Sequence, residues 1–243
     1  MPLITVAMIT LNEEGAVGSV IADIQAATAG LDCEVVIVDS SKDRTPEIAT
    51  AAGARVVRQF PPQGYGRAMG RALSEGRGDV VITLDCDGTY PADRIPELAR
   101  MVLSGRFDLV NASRLEKKPA SMPLPNYIGN LVFALVSRIL LGVKATDLHS
   151  GMRAYRRTML EKTVFDTSGP ALPVELLLKP ALAGYRIAEI FVPYNDRVGV
   201  TTLNRWESTM WTFRRIFRLF PARLRGPAQA ARELRRDGVG DQL

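Results

Sequence analysis

Three short polar clusters, each directly after an apolar segment, carry the side chains of this sequence best suited to chemistry. They are, in chain order, Asn12-Glu13-Glu14, Asp39-Ser40-Ser41 and Asp85-Cys86-Asp87. If the apolar segments are strands of one parallel sheet, the clusters meet at its carboxyl edge, where open α/β sheets bind ligands. Carboxylates gathered at one edge repel each other unless a cation joins them. Mg²⁺ or Mn²⁺ binds carboxylate oxygens and completes its shell with substrate phosphates, which implies a diphosphate ligand.

The spacing of Asp85 and Asp87 is the sharpest of these signals. At the end of a strand both carboxylates can turn into one cleft, one toward sugar hydroxyls and the other toward a metal. The competing interpretation is a strand that runs into an Asp87-Gly88 turn, since Asp-Gly is a common turn sequence. The position after an apolar strand, within an alternating pattern of strands and helices, favours the functional interpretation.

The segments that must position these clusters alternate between strand and helix patterns. Apolar runs predict strands at residues 3–9, 34–38, 55–58, 79–84 and 107–112. Helical patterns lie between them and begin at Asn12, Thr45, Tyr65 and Pro91. This alternation predicts an α/β fold, a Rossmann-like, mostly parallel sheet with helices on both faces.

The second half of the chain departs from this alternation. The pattern predicts a loop at 113–125, an apolar helix at 127–143, irregular structure at 144–156, a helix at 174–183, a strand at 186–193 and a polar loop at 196–204. We therefore expect one domain over residues 1–204 and a basic, amphipathic helical tail over residues 205–243. The apolar helix is shorter than the roughly 20 residues of a spanning helix, so we expect it to be buried or interfacial.

The tail carries the whole net charge of +5, with nine arginines and four acidic residues, which leaves the preceding residues neutral. Its aromatic residues interleave with Arg214, Arg215 and Arg218, and they are Trp206, Trp211, Phe213, Phe217 and Phe220. This pattern suits a helix that lies in a membrane interface. It suits equally a helix docked on its own domain, because arginine stems cover any apolar surface. The sequence leaves both interpretations open.

Composition excludes several classes of protein. Hydrophobic residues make up 47% and charged residues 23% of the 243 residues, which excludes a disordered chain. Cys33 and Cys86 are too few for a disulfide framework or a zinc site, and no secretory signal is visible, so we expect a cytoplasmic setting. His149 is the only histidine and no G-x-S-x-G occurs, which argues against a serine triad.

Six motifs together resemble the family 2 glycosyltransferases of GT-A fold, and among them the dolichol-phosphate mannosyltransferase-like polyprenyl-phosphate hexosyltransferases. The motifs are Thr10-Leu11-Asn12-Glu13-Glu14, Val38-Asp39-Ser40-Ser41-Lys42-Asp43-Arg44-Thr45, Gly64-Tyr65-Gly66, Asp85-Cys86-Asp87-Gly88, Ser113-Arg114 and Ser150-Gly151-Met152-Arg153 with the residues to Arg157. The resemblance implies a metal-dependent, inverting enzyme. It would move mannose or glucose from a GDP- or UDP-sugar to a polyprenyl phosphate, peripherally on the inner face of the membrane.

The same resemblance implies roles for individual residues. The donor-binding set comprises Thr10, Leu11, Glu13, Asp39, Gln63 and Asp85, with Glu13 and Asp39 on the base and ribose. Mg²⁺ or Mn²⁺ would be held by Asp85 and Asp87, with Thr89 as a further contact. Arg114 and Arg153 would face the acceptor phosphate or the leaving diphosphate, and Arg197 would close over that diphosphate. With Asp87, these three arginines form the predicted catalytic set.

The chemistry of the acceptor supports the lipid-phosphate branch. A hydroxyl acceptor needs a general base, whereas a phosphate monoester is already ionised near neutral pH. Guanidinium groups suit planar contact with phosphate, and this sequence is rich in loop arginines. A hydroxyl acceptor would leave Glu175 as the candidate base, against the simpler interpretation of an i,i+4 pair with Lys179.

Two further alternatives remain open at this point. One is a protein that binds a nucleotide sugar without turnover, for which Ser40 and Gln63 are the only support, because they replace an acid and a lysine of the family pattern. The other is nucleic-acid binding through the basic tail, which we rank last because no recognition module accompanies it. The oligomeric state is not predicted.

Overall fold

A computed structural model describes residues 2–199 and 204–236 of the chain. Seven strands form one sheet: β1 Ile4–Thr10, β2 Cys33–Asp39, β3 Arg55–Arg58, β4 Val80–Thr83, β5 Leu109–Ser113, β6 Arg153–Arg156 and β7 Ile187–Phe191. Their order across the sheet is β3-β2-β1-β4-β6-β5-β7. Strand β6 is antiparallel to both of its neighbours, and the other strand pairs are parallel. The predicted mostly parallel α/β sheet is confirmed.

The described helices cover both faces of this sheet. They are α1 Val17–Ala27, α2 Thr45–Ala51, α3 Tyr65–Glu75, α4 Ile95–Leu103, α5 Leu124–Leu141, α6 Arg157–Lys162, α7 Leu172–Leu182, α8 Arg205–Leu224 and α9 Pro227–Arg236, with a 3-10 turn at Ala92–Arg94. One hydrophobic cluster lies between the sheet and α1, α2 and α4. The other joins the opposite face to α3 and α5 to α9. Strands buried on both faces read as continuous apolar runs, which is why the sequence shows them clearly.

The predicted helix start at Asn12 is wrong, because α1 begins at Val17. Asn12 adopts a left-handed backbone conformation with φ of 60°, which asparagine tolerates better than most residues. Its amide oxygen accepts a hydrogen bond from the Lys42 backbone, and its own N–H donates to Ser41 Oγ. The Asn12 side chain therefore joins two neighbouring loops of the sheet edge instead of capping a helix.

The prediction of irregular structure over 144–156 is wrong for its last part, which forms β6, and α6 follows directly. The strand reads Arg-Ala-Tyr-Arg, so no apolar run marks it. Its place is set by its neighbours, since Thr83 pairs with Arg153 on one side and Asn111 pairs with Arg153 on the other. A short strand of this kind is specified by cross-strand pairing and not by its own pattern.

Helix α8 docks on the domain through one face. Ile216 and Leu219 lie in the core, and Trp211 lies against Gly169, which has φ of 71° and where an added Cβ would be 2.6 Å from the ring. The buried Arg215 pairs with Glu175. The docked interpretation thus holds for this face of the helix. The domain boundary after residue 204 stays a prediction, and residues 200–203 and 237–243 lie outside the described residues.

Helix α5 begins at Leu124, three residues earlier than predicted, and this gives it 18 residues. By length and composition it meets the criterion for a membrane-crossing helix, with a mean hydropathy of 1.4, although only 17% of it is buried. Phe133, Ser137 and Leu141 are its buried residues. Both ends of α5 return to the same sheet through β5 and β6, so the helix lies along the domain with most of its surface exposed.

Candidate active site

Neighbouring strands bring the predicted donor residues to one edge of the sheet. Thr10 at the end of β1 is the register partner of Asp39 at the end of β2, and Asp85 and Asp87 follow β4 on the other side of β1. Because β6 is antiparallel, its amino-terminal end lies at this same edge and brings Gly151 there. Four segments that are distant in sequence thus meet at the carboxyl ends of the parallel strands.

Asp87 is the most firmly held carboxylate of the site. Its Oδ1 accepts hydrogen bonds from the Thr89 backbone N–H at 3.1 Å and from Thr89 Oγ1 at 2.6 Å. Its Oδ2 lies 2.7 Å from Nη2 of Arg197. Thr89 is fully buried, so in this arrangement it orients Asp87 and does not face the cleft.

Backbone hydrogen bonds keep the Arg197 loop over the Asp87 turn. The Val198 N–H donates to the Asp87 carbonyl at 2.9 Å, and the Asn195 N–H donates to the Thr89 carbonyl at 3.0 Å. The structure therefore brings together two predicted residues, Asp87 and Arg197, that are 110 positions apart in the chain.

Asp85 is half-buried, and its carboxylate has no hydrogen bond or ion pair within the part of the chain that the structure describes. Burial, followed by repulsion from Asp87, raises the pKa of Asp85 to about 6. The backbone of Gly151 passes directly over this carboxylate, since an added Cβ would be only 2.2 Å from Asp85 Oδ2. A cation bound near Asp85 would stabilise this unpartnered negative charge.

Glu13 lies beside the two aspartates. Burial, and then the charge of Asp87, raise the pKa of Glu13 to about 7, while Arg197 opposes the shift. Its carboxylate also lacks a hydrogen-bond partner among the described residues. Near neutral pH the cluster thus holds more carboxylate charge than its ion pairs compensate.

This cluster predicts that the protein without metal loses stability as pH rises through about 6 to 7. Raised carboxyl pKa values mean that the folded state binds more protons than the unfolded state in this window, so stability falls with increasing pH. Saturating Mg²⁺ should flatten that slope. Thermal melts with EDTA and with Mg²⁺ at each pH measure both effects.

The matched comparison for these melts is Glu13→Gln, which should lose part of the slope. This variant is needed because His149 also makes stability depend on pH. Burial lowers the pKa of His149 to about 4, so this group makes stability rise with pH in a lower pH range. Identical slopes for the wild type and Glu13→Gln between pH about 6 and about 7 would contradict the assignment.

Asp39 is fully buried at the adjacent part of the edge. It accepts hydrogen bonds from Thr10 Oγ1 at 2.7 Å and from Ser41 Oγ at 2.6 Å, and it pairs with Arg58. Ser40, where the family pattern often has an acid, donates through Oγ to the Gln59 carbonyl. The structure thus confines the Asp39 carboxylate with three partners.

Two predicted donor-binding residues lie at the surface. Leu11 is 37% exposed at the end of β1. Gln63 is exposed in the loop before α3 and makes no hydrogen bond or ion pair with the described residues. Leu11 follows Thr10, which bonds to Asp39, so Leu11 lies next to the acidic residues of the sheet edge. No hydrogen bond or ion pair joins Gln63 to those residues within the described part of the chain.

Arg114 is clamped beside the aspartates by Asp147. The Arg114 guanidinium donates from Nε to Asp147 Oδ2 at 2.6 Å and from Nη2 to Oδ1 at 2.9 Å. Burial opposes the ionised form of Asp147, but the charge of Arg114 and the hydrogen bonds from Arg114 together outweigh burial and lower the Asp147 pKa. The guanidinium also lies 5.8 Å from the ring of Tyr90 and 5.1 Å from that of Tyr194. Its Nη1 has no partner among the described residues.

Arg153, in contrast, is held inside the protein. It is fully buried, and its Nε donates to Asn111 Oδ1 at 2.6 Å. The other donors bond to backbone carbonyls of Asp147, Leu148 and Pro173. These hydrogen bonds hold the loop that carries Asp147, so Arg153 positions that loop. The Arg153 side chain itself does not reach the cleft.

Sequence reasoning missed Asp147, Tyr90 and Tyr194. Asp147 lies three residues before the Ser150-Gly151 motif. The available signal was an acidic residue in a predicted irregular segment, where it caps no predicted helix. Tyr90 accepts a hydrogen bond from the Gly151 N–H at 2.7 Å and packs edge-to-face on Tyr194. The contacts of Tyr90 and Tyr194 with Arg114 join distant parts of the chain. No sequence motif marks such contacts, so only the tertiary structure reveals them.

Gly151→Ala should reduce activity by about a hundredfold, because an angstrom-scale displacement of a catalytic group has effects of that size. The added methyl group would overlap the Asp85 carboxylate. Gly15→Ala is the matched control, since a Cβ added at Gly15 would have no atom within 4 Å. Steady-state kinetics of both variants, with melting temperatures, make the test, and equal activities would show that Asp85 moves without consequence.

The donor set suits a hard divalent cation. All candidate ligands are carboxylate oxygens, which Mg²⁺ and Mn²⁺ prefer. Among the described residues, no group of three or more His, Cys, Asp or Glu side chains is arranged to hold a metal alone. Such a cation commonly takes one or two carboxylates and completes its shell with substrate phosphates, so Asp85 and Asp87 fit this mode of binding.

An α/β sheet edge with paired aspartates and ion-paired arginines is the arrangement that the family resemblance implies, and comparison with known proteins agrees with that resemblance. The chain matches the family model "Glycosyl transferase family 2" over residues 5–164. It is 45% identical over 201 residues to the dolichyl-phosphate hexose transferase of Haloferax volcanii, covering 83% of this chain and 86% of that protein. The chain therefore belongs to glycosyl transferase family 2 and is a glycosyltransferase.

Two other relatives extend the comparison. An undecaprenyl-phosphate 4-deoxy-4-formamido-L-arabinose transferase of Pseudomonas aeruginosa is 33% identical over 168 residues, or 65% of this chain and 48% of that protein. The structure of glucosyl-3-phosphoglycerate synthase from Mycobacterium tuberculosis, in complex with Mn²⁺, UDP and phosphoglyceric acid, superposes with a TM-score of 0.69. It is 25% identical and covers 91% of this chain and 78% of that one. The predicted family resemblance and GT-A fold are confirmed.

Proposed function

We propose that the protein transfers a hexose, mannose or glucose, from a GDP- or UDP-sugar to a polyprenyl phosphate at the membrane surface, with inversion. The observation that carries this proposal is the half-buried Asp85 carboxylate, which lacks a partner among the described residues and lies beside Asp87 at the strand ends. A divalent cation on a nucleoside diphosphate would supply the missing positive charge. The similarity to polyprenyl-phosphate hexosyltransferases supports the choice of acceptor class.

On the donor side, Asp39 with Thr10 would hold the ribose and base, and Glu13 would complete this wall. Asp85 and Asp87 would hold Mg²⁺ or Mn²⁺, which when bound neutralises charge on the diphosphate. Arg197, which pairs with Asp87, would also be within the same loop region to bind oxygens of the diphosphate. Thr89 would keep the Asp87 carboxylate oriented.

On the acceptor side, Arg114 is the arginine best placed to bind a phosphate. Asp147 fixes its guanidinium plane, and the free Nη1 can donate to an acceptor oxygen. A phosphate oxygen of the acceptor attacks the anomeric carbon, the bond to the nucleoside diphosphate breaks, and the configuration inverts. No base is required, because the phosphate is already ionised.

The surroundings of Glu175 argue against a hydroxyl acceptor. Glu175 is buried and 2.8 Å from Lys179, and it also pairs with Arg215 and accepts a hydrogen bond from the Asp166 N–H. The i,i+4 interpretation of Glu175 and Lys179 is thus the one that the structure supports. Because these contacts hold the Glu175 carboxylate inside the protein, it is not placed to reach an acceptor hydroxyl, and the hydroxyl alternative loses its candidate base.

Exposed apolar side chains on α5 and α8 support contact with a bilayer. They are Leu124, Ile128, Leu131, Val132, Leu135 and Ile139 on α5, and Trp206, Met210, Phe217 and Leu224 on α8. Arg214 and Arg218 on α8 are also directed outward and suit anionic headgroups. We place the protein peripherally on the cytoplasmic face, with α5 and α8 as the contact surface.

The test is a panel of GDP- and UDP-sugars incubated with the protein, Mg²⁺ or Mn²⁺, and polyprenyl phosphate in detergent. Sugar transferred to the organic phase and free nucleoside diphosphate are measured in parallel. Lipid-linked sugar from one donor would support the proposal and name the donor. Nucleotide release without lipid product would favour a hydroxyl acceptor, and neither binding nor turnover would favour the non-catalytic alternative.

A further inference from the structure

A cavity lies apart from the candidate active site, at the beginning of β7, the last strand in the order across the sheet. Its volume is about 340 Å³, within the range of small-ligand pockets. The carboxyl-terminal ends of α5, α7 and α8 and the beginning of β7 form its walls. Strand β7 begins at Ile187 and reaches the active-site edge at Phe191, about 13 Å further along the strand.

The cavity combines an apolar interior with a positive rim. Leu141, Leu182 and Ala222 line it and are almost fully buried. Lys144 and Arg223 lie at its edge, are exposed, and have no hydrogen bond or ion pair within the described ranges 2–199 and 204–236. The interior therefore suits a hydrocarbon segment, and the rim suits an anion.

The one acidic residue on the wall does not neutralise this rim. Glu189 accepts hydrogen bonds from the Thr146 N–H and from Thr146 Oγ1 at 2.7 Å, and from Asn111 Nδ2 at 2.7 Å. Its carboxylate is therefore directed at the β5 side of the sheet. Glu189 forms no ion pair with Lys144 or Arg223 in the described part of the chain, and with two cations and one acid the lining of the cavity keeps a net positive charge.

Arg223 also has a local electrostatic reason for its position. Its guanidinium lies where a Cβ on Gly142 would be 3.3 Å from Nε, and Gly142 ends α5 with a left-handed φ of 73°. The carboxyl end of a helix attracts cations, so this contact accounts for Arg223 alone. It accounts neither for Lys144 nor for the apolar cavity beside the two charges.

Exposed apolar side chains beside the cavity indicate that its ligand comes from the bilayer. Ile139 of α5 is 70% exposed and Leu224 of α8 is 73% exposed, and they belong to the two helix ends that border the cavity. The positive rim is thus continuous with the apolar surface that we assign to the bilayer. An anionic lipid offers both a phosphate for the rim and a chain for the interior.

We propose that this cavity binds an anionic phospholipid of the bilayer, with the phosphate between Lys144 and Arg223 and the first part of a chain in the apolar interior. Arginine binds phosphate through planar paired hydrogen bonds, and lysine acts as a point charge beside it. This site goes beyond the proposed function, because it is separate from the cleft that would bind the acceptor phosphate.

The test is calorimetric titration of the full chain with monomeric dihexanoyl phosphatidic acid. Lys144→Gln and Arg223→Gln should each weaken binding about tenfold. Ala181→Leu should weaken it as well, because Ala181 lines the cavity and a longer side chain fills it without changing charge. Arg100→Gln, which removes one exposed charge on α4 at the opposite face of the sheet, is the matched control and should bind like the wild type.

Two further ligands distinguish the sources of the phosphate. Inorganic phosphate and dihexanoyl phosphatidylcholine should each bind at least about tenfold more weakly than phosphatidic acid. Inorganic phosphate that binds as tightly as the lipid would overturn the proposal in favour of a simple anion site. Unchanged affinity in both Lys144→Gln and Ala181→Leu would overturn it altogether.

The failure of this proposal is distinguishable from the failure of the proposed function. Lys144→Gln should keep the sugar-transfer rate of the wild type in detergent, where no bilayer lipid is present. A lower melting temperature of Arg223→Gln with unchanged lipid affinity would show that Arg223 only stabilises the end of α5. That outcome would remove Arg223 from the site and contradict the two-cation arrangement.

Discussion

Replacing Asp87 by Asn should reduce hexose transfer by at least about a thousandfold and leave the fold intact. A cation that neutralises a leaving diphosphate contributes several kcal/mol to the transition state, and each 1.36 kcal/mol is about tenfold in rate. Asn keeps the shape of Asp87 and the hydrogen bond to Thr89, but it loses the charge that holds both Arg197 and the cation. Chelation of the wild type should have the same effect.

Transfer rates over a Mg²⁺ and Mn²⁺ titration, with melting temperatures, measure this prediction. The matched control is Asp93→Asn, which removes a carboxylate from the 3-10 turn before α4 and should keep full activity. Because Asp87 contributes to the raised pKa of Glu13, the variant should also titrate Glu13 at lower pH. Full activity of the wild type in EDTA would rule out the assigned metal role.

The second large effect is expected at the pair of Arg114 and Asp147. Asp147 is fully buried and the Arg114 side chain is 10% exposed, so Asp147→Asn leaves a buried guanidinium without its counter-charge. Removing one partner of a buried ion pair costs about 3–5 kcal/mol. Urea unfolding of the variant should show a loss of this size. Glu97→Gln, which breaks the exposed pair of Glu97 with Arg94, should cost less than about 1 kcal/mol.

A double variant, Arg114→Met with Asp147→Leu, separates stability from catalysis. Apolar residues of similar volume often replace a buried ion pair without loss of stability, so the double variant should regain most of the free energy of unfolding. It should remain inactive if Arg114 binds the acceptor phosphate, with donor binding kept near the wild-type value. Recovery of both stability and activity would reduce the pair to a structural clamp.

Much of the site follows from local sequence. Buried parallel strands are continuous apolar runs, so β1, β2 and β4 are visible in the sequence, and polar residues at their ends belong at the ligand edge. Asp39, Asp85 and Asp87 were therefore predictable from position and type alone. The i,i+4 pair of Glu175 and Lys179 was equally predictable, because helical spacing brings those positions together.

Other features depend on contacts between segments that are far apart in the chain. Arg114 and Arg153 carry the same charge and both lie in predicted motifs, yet one borders the cleft beside Asp147 and the other is bound to interior carbonyls. Strand β6 has no apolar pattern and is fixed by pairing with β4 and β5. Its antiparallel direction carries Gly151 onto Asp85, which no local rule indicates.

The sequence by itself thus determined the fold class, the family and the acidic edge, because periodicity, strand-end polarity and motif order are local properties of the chain. Only the tertiary structure decided which charges are compensated. It pairs Asp87 with Arg197 and Arg114 with Asp147, and it leaves Asp85 without a partner among the described residues. Ion pairing depends on distances of a few ångströms between distant segments, and for that reason the unpaired charges that mark the candidate sites appear only in the folded protein.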